Sequence, residues 1–171
     1  MARIPAPSGY SSKAETSSEQ AHSHAHAHAL AQAETLCRAS GARLTPIRRH
    51  VYEALYESQK PLGAYDLAEV LAPNGRRLAP ITVYRALDFL IEQGLAHRLA
   101  SKNAYIASAN AAETQDTVAF LICESCGSVD EVSSQDLSNS LSTLLAQKGF
   151  RPKDKVLEIT GQCTHCQSGS H

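Results

Sequence analysis

The sequence predicts an α+β chain: an N-terminal winged helix-turn-helix followed by a small α/β unit that carries paired cysteines. Three observations predict it. Apolar residues at helical spacing, each run bounded by caps or glycine stops, recur four times before Gly94, and two short strand-like runs follow. A strand–helix–strand pattern occupies the last third of the chain. Two Cys-x-x-Cys pairs, Cys123-Glu124-Ser125-Cys126 and Cys163-Thr164-His165-Cys166, bracket that last pattern.

The cysteines carry the clearest chemistry. A Cys-x-x-Cys turn can direct both sulfurs at one ion, and Gly127 after Cys126 permits the tight backbone. Two such turns make Cys123, Cys126, Cys163 and Cys166 a four-thiolate set, the ligand set of a structural zinc site. The alternatives are two disulfides or two redox pairs. Disulfides suit secreted chains, whereas Met1 to Gln20 is rich in Ser, Ala and Pro and lacks the apolar core of a signal peptide. No run approaches the roughly 18 apolar residues of a membrane span. The expected location is therefore cytoplasmic, away from membranes. Cys37, on the apolar face of a helix, is expected to be a buried core thiol.

Taken in order, residues 1–28 read as a disordered, Ser-rich tail with few large apolar residues. The tail ends in His22-Ser23-His24-Ala25-His26-Ala27-His28, a tract that can bind zinc, nickel or copper loosely. Its strict alternation defines no single compact ligand set. Residues 29–107 read as the winged-helix unit. Ala29 to Ser40 is a first helix with Leu30, Ala33, Leu36 and Cys37 inward and Gly41 as its stop. Thr45-Pro46 starts a second helix to about Ser58, with Ile47, Val51, Ala54 and Leu55 inward. Ala64 to Leu71 is a short third helix with Leu67, Val70 and Leu71 as its apolar face. After the Pro73-Asn74-Gly75 turn and Arg76-Arg77, Ala79-Pro80 opens a fourth helix that Gly94 stops. Its buried stripe is Val83, Ala86, Leu87, Leu90 and Ile91. Leu95 to Ala100 and Asn103 to Ala107 are the two strands of a wing. In such an arrangement the fourth helix is the one that enters a major groove.

Residues 108–117 read as a polar hinge and residues 118–166 as the small α/β unit. Strand Val118 to Ile122 leads into the first cysteine turn, and strand Ser128 to Val132 follows it. A helix from Ser134 to Lys148 presents Leu137, Leu141, Leu144 and Leu145. Val156 to Ile159 is the strand before the second cysteine turn, and residues 167–171 read as a disordered tail. So small a core needs a metal staple. The net charge of -1 conceals an asymmetry. Ten basic and six acidic residues lie between Leu36 and Tyr105, four basic and eight acidic between Asn110 and Thr160. The basic half suits nucleic acid and the acidic half another partner, although chance segregation of surface charge reads the same way.

Several stretches resemble the ferric uptake regulator family, and within it the zinc-uptake branch. They are Arg43-Leu44-Thr45-Pro46-Ile47-Arg48, Ala64-Tyr65-Asp66-Leu67, Thr82-Val83-Tyr84-Arg85-Ala86-Leu87-Asp88-Phe89-Leu90, Glu92-Gln93-Gly94 and Cys123-Glu124-Ser125-Cys126-Gly127. The resemblance spans Ala29 to Cys166. It implies a homodimer, joined through the α/β unit, that binds a palindromic, AT-rich operator in double-stranded DNA when metal-loaded. One or two dimers would occupy each operator, chiefly repressing zinc-uptake genes. It implies base contacts from Arg85 and Tyr65, with Arg43, Thr82 and Tyr84 holding the backbone. Arginine is independently the commonest reader of guanine.

The resemblance also implies a second, regulatory zinc per subunit at the hinge, on positions His97, Ser108, Asp116 and Glu131. Here the sequence departs from its family. Ser108 stands at the usual cysteine position and Asp116 at a histidine position. His97, Asp116 and Glu131 leave an N/O ligand set, weaker than one containing a thiolate. Neither a nucleophile with a base nor a phosphate-binding loop is evident, so no enzyme is expected. An iron, manganese or peroxide sensor of the same family, or a zinc-ribbon module binding protein, remain the other readings.

Overall fold

The computed structural model describes residues 15–58, 60–72, 78–109, 117–152 and 155–169. Helix α1 spans Glu15–Ala39, which corrects the expectation of a disordered tail through residue 28. The chain has neither Pro nor Gly between Gly9 and Gly41, and six alanines lie between Ala21 and Ala33. Alanine is the strongest helix former. Burial of Leu30, Ala33 and Cys37 fixes one end, so each residue added upstream costs little. The histidine tract is therefore helical, and the alternation of its sequence hid that. Gly41 ends the run in the left-handed region at φ +71°.

Helices α2 (Pro46–Ser58), α3 (Ala64–Val70) and α4 (Pro80–Glu92) complete the helical unit. Their core holds Val51, Leu55, Leu67, Val83, Leu87 and Leu90, each at most 2% exposed. Val70, expected inward, is 64% exposed. The inward face of α3 is Ala64, Leu67, Ala68 and partly Leu71, the positions one helical turn apart, and Val70 lies off that stripe. Tyr52 and Phe89 are buried beyond expectation. The Arg48 guanidinium lies 3.5 Å from the Phe89 ring centroid and donates to the Arg43 carbonyl at 2.8 Å. Arg48 thus ties the loop before α2 onto α4 through one cation–π contact and one hydrogen bond.

The wing is the antiparallel pair β1 (Ala96–Leu99) and β2 (Ala104–Ala107), with His97 opposite Ile106. A short helical turn over Ala100–Lys102 and Asn103 at φ +48° reverse the chain. Leu62 and Tyr105 exchange two backbone hydrogen bonds, of 2.9 and 2.8 Å. The residues that lead into α3 therefore form a third edge of the wing.

The second sheet has the order β4-β3-β5. Strands β3 (Val118–Cys123) and β4 (Val129–Ser133) form an antiparallel hairpin, and β5 (Val156–Gly161) lies parallel to β3. Helix α5 (Gln135–Gln147) makes the crossover between β4 and β5, as a parallel pair requires. Alternation along β3 gives the sheet two faces. Phe120 and Ile122 are buried with Leu99 of the wing, and Ile106, Val118 and Val129 pack around them. On the other face Leu121, Val132 and Ile159 are exposed. The leucine stripe of α5 is only partly covered within one chain, with Leu137, Leu141 and Leu145 half-buried. Leu144 is 51% exposed, and Ser138, not a leucine, is the residue of that helix buried in one chain. Its hydroxyl accepts a hydrogen bond from the Thr117 N–H at 2.8 Å.

A polar clasp joins wing and sheet. The Glu158 carboxylate accepts from the Ala100 N–H at 2.7 Å and the Ser101 N–H at 3.0 Å. Burial disfavours its ionised form, but the Ser101 hydroxyl and these two N–H groups outweigh that and lower its pKa. The stabilisation is present above the ordinary carboxylate value and is lost as pH falls through the lowered one. At pH 7 Glu158→Gln is expected to lower stability by about 1 kcal/mol. In a denaturant titration repeated down the pH scale, that difference should shrink only below about pH 4.5.

Candidate metal centre and nucleic-acid surface

Parallel pairing of β3 with β5 is what assembles the cysteines. Both strands run toward the same sheet end, where Cys123 stands opposite Gly161. Gly127, at φ +75°, folds the first turn back into β4. Beyond β5 the short helix α6 (Thr164–Gln167) begins, with Cys163 at its N-terminal boundary. The ligand atoms of Cys123, Cys126, Cys163 and Cys166 consequently lie within 4.8 Å of one another. Cys126 Sγ and Cys163 Sγ are 3.8 Å apart. Four sulfurs bonded to zinc at about 2.3 Å in a tetrahedron stand about 3.8 Å from each other. The geometry therefore fits a single tetrahedral ion, and 3.8 Å is far beyond a disulfide bond of about 2.05 Å.

The protonation pattern agrees. Backbone N–H groups of Cys126 and Cys163 hold the Cys123 thiol down to about 6, the Cys163 N–H at 3.4 Å. Ser128 lowers Cys126 as well. Cys166, hydrogen-bonded to the Cys163 sulfur, is pushed up to about 12. Four adjacent thiols cannot all ionise alone, and a divalent cation removes the repulsion that retains their last protons.

A second cluster joins the two sheets. His97 of β1 and Glu131 of β4 meet where the wing packs on the second sheet, with the His97 ring 5.1 Å from that of Phe120. Glu131 Oε2 accepts from the Ala109 N–H at 2.8 Å. Its Oε1 and the His97 Nε2 are both buried and without a hydrogen-bond partner. Burial lowers the His97 pKa and the Glu131 charge draws it partly back. The imidazole is thereby kept in its neutral, metal-binding form. Orphaned buried polar atoms are costly, and an acceptor nitrogen beside a carboxylate oxygen fits a cation. Ser108 is buried at the end of β2. Asp116 lies outside the described residues, as do Arg76 and Arg77.

The residues expected to meet DNA lie on the helical unit and at its edge with the wing. Tyr65 is 71% exposed on α3. Arg43 and Arg85 are exposed, Thr82 is half-buried, and Tyr84 is half-buried against the helical core. Tyr65 and Tyr84 share one open depression with Lys60 and Lys102. These two lysines escaped the sequence reading because only the fold brings the loop before α3 beside the wing tip.

Comparison with known proteins adds to this geometry. The family model of the ferric uptake regulator family matches residues 39–160. The chain belongs to the ferric uptake regulator family. Within it, the zinc uptake regulation protein of Escherichia coli (strain K12) is 38% identical over 135 residues, covering 79% of each chain. The zinc uptake regulation protein of Mycobacterium tuberculosis (strain ATCC 25618 / H37Rv) is 27% identical over 130 residues, 76% of this chain and 98% of that one. A solved zinc uptake regulator complexed with zinc and DNA superposes with a TM-score of 0.78 at 36% identity. That match covers 84% of this chain and 96% of the other. Among the described residues no helix is long and apolar enough to cross a membrane.

For this member of the ferric uptake regulator family, Cys123→Ser removes one of four ligands and leaves three crowded thiols. We expect loss of about one metal ion per chain and of cooperative unfolding in the sheet, read by metal analysis and calorimetry. A variant that keeps its metal and its melting profile would reject the four-sulfur site.

Proposed function

We propose that this protein is a zinc-responsive transcriptional regulator, not an enzyme. As a homodimer it binds palindromic operator DNA when zinc-loaded and chiefly represses zinc-uptake genes. The observation that carries the reading is the pair of buried, unpartnered atoms, His97 Nε2 and Glu131 Oε1, one on the wing and one on the second sheet. Zinc-uptake relatives and a neighbour solved with zinc and DNA support the metal and the partner.

In this reading Cys123, Cys126, Cys163 and Cys166 hold a structural zinc that keeps the second sheet closed. His97, Asp116 and Glu131 are the regulatory ligands. A zinc ion there supplies a divalent charge that neutralises both carboxylates and cross-links the wing to the sheet. His97 transmits that link because β1 follows α4 after only three residues. With the ligands unlinked, the wing samples other seats and the productive spacing of the two α4 helices is diluted. Exposed Leu144 of α5, its half-buried neighbours Leu137, Leu141 and Leu145, and the outer sheet face with Leu121 and Ile159 supply the apolar surface for the second copy. Arg85 and Tyr65 read bases. Arg43, Thr82 and Tyr84, joined by Lys60 and Lys102, hold phosphates. The protein works where the genome is, in the cytoplasm.

His97→Ala is expected to remain dimeric in sedimentation and to lose zinc-dependent operator binding; unchanged zinc dependence would move the sensor elsewhere. Arg85→Ala should cost about 1–3 kcal/mol and relax the base preference at one operator position. Lys102→Ala should instead weaken all sequences alike and flatten the salt dependence by about one phosphate contact, measured by titrating operator and scrambled duplexes.

A further inference from the structure

Helix α4 packs its large apolar residues inward with one exception. Val83, Leu87, Phe89 and Leu90 are buried and Ile91 is half-buried. Ile81, the second residue of the helix, is 59% exposed. Isoleucine is β-branched and a poorer helix former than alanine. Neither packing nor helix propensity therefore accounts for it at this position. Its exposure is shared with a defined set of neighbours. After Pro80 the exposed residues of α4 are Ile81, Arg85, Asp88 and Glu92, and steps of four, three and four put them on one helical face. That face has a polarity. Asp88 and Glu92 are acidic and are repelled by phosphates. The end of α4 suited to approach a duplex is therefore the N-terminal one, with Ile81 and Arg85.

Resting on the reading of this protein as a DNA-binding regulator, we propose that Ile81 is a specificity-determining residue. It packs on the 5-methyl group of a thymine in the major groove, within about two base pairs of the base that Arg85 meets. In a helix that enters the groove, the N-terminal residues are the ones that reach base edges. The thymine methyl is the apolar feature there, set among hydrogen-bonding groups. An isoleucine side chain has no donor or acceptor, so contact with that methyl is the readout open to it. Helical side chains lean toward the N-terminus of their helix, which carries Ile81 ahead of Arg85. Four residues of helix rise about 6 Å, against about 3.4 Å for one base pair, and this sets the distance between the two contacts. Arg85 thus reads by hydrogen bonds and Ile81 by apolar fit. Thr82 and Tyr84 are half-buried on other faces of the helix and do not share that task.

The probe is a duplex selected from a randomised pool by the full, zinc-loaded chain, then remade with deoxyuridine in place of one thymine at a time. Deoxyuridine keeps the pairing edge and the O4 acceptor and lacks only the methyl. Affinities are compared at one salt concentration. At one thymine of each half-site, wild type should bind the deoxyuridine duplex about fourfold more weakly, the worth of one buried methyl. Ile81→Ala should bind the thymine and deoxyuridine duplexes alike at that position. Its salt dependence should match wild type, since no phosphate contact is lost. A structural defect would instead weaken both duplexes and leave their ratio unchanged. The base pair at which Arg85→Ala relaxes preference should lie within about two of that thymine. The inference is overturned by an undiminished deoxyuridine penalty in Ile81→Ala, by no penalty at any thymine in wild type, or by a penalty remote from the Arg85 position. Each of these leaves a zinc-dependent DNA-binding protein standing. Failure of the zinc-loaded chain to select any duplex would overturn the regulator reading, and this inference with it.

Discussion

The parallel pairing of β3 and β5 is the constraint from which the rest of the C-terminal half follows. A parallel neighbour forces a crossover, and α5 is that crossover. It also brings the two strands out at one sheet end, where Cys123 faces Gly161 and the second cysteine pair begins two residues later. The sheet alone is thin: the wing-facing cluster centres on Leu99, Phe120 and Ile122. Four thiolates sharing one ion contribute stability that three strands and one half-exposed helix do not. In the proposed function the cysteines are structural, and the metal-responsive chemistry is assigned to the junction with the wing.

That junction is built from two kinds of contact with different roles. Phe120, Ile122 and Leu99 give non-directional burial, which keeps wing and sheet together without fixing their angle. Glu158 and Glu131 give direction, because each carboxylate accepts from a named backbone N–H on the wing or just beyond it. Glu158 uses both oxygens this way and is satisfied. Glu131 uses one and leaves the other buried without a partner. The first carboxylate sets a resting seat, and the second leaves a place where a cation can bias it.

Much of this was legible in the sequence, and the misses have physical causes. Helix bounds followed from local chemistry: Thr45-Pro46 and Ala79-Pro80 at starts, Gly41 and Gly94 at stops. The cysteine site followed from spacing alone, since two Cys-x-x-Cys turns leave little other use for four thiols. The upstream half of α1 is hard to read from sequence because it lacks large apolar residues, as disordered tails do. Alanine content and an anchored downstream end make the helix instead. Val70 was misplaced because a seven-residue helix offers too few turns to fix its phase. Phe89 buries under Arg48, a contact fixed only by the packing of α2 on α4. Glu158, Lys60 and Lys102 were invisible for one reason: their roles depend on residues far away in the chain, such as Ala100 or Tyr65.

The wing itself is braced on three sides. Leu62 pairs with Tyr105 on one edge, α4 runs almost directly into β1, and the Ala100–Lys102 turn rests on Glu158. A hairpin held this way rotates as a solid piece more readily than it deforms. It therefore behaves as a crank: torque applied at the sheet is delivered to α4 with little lost to internal give. In the proposed function, operator recognition is switched by turning the wing as a unit rather than by refolding it.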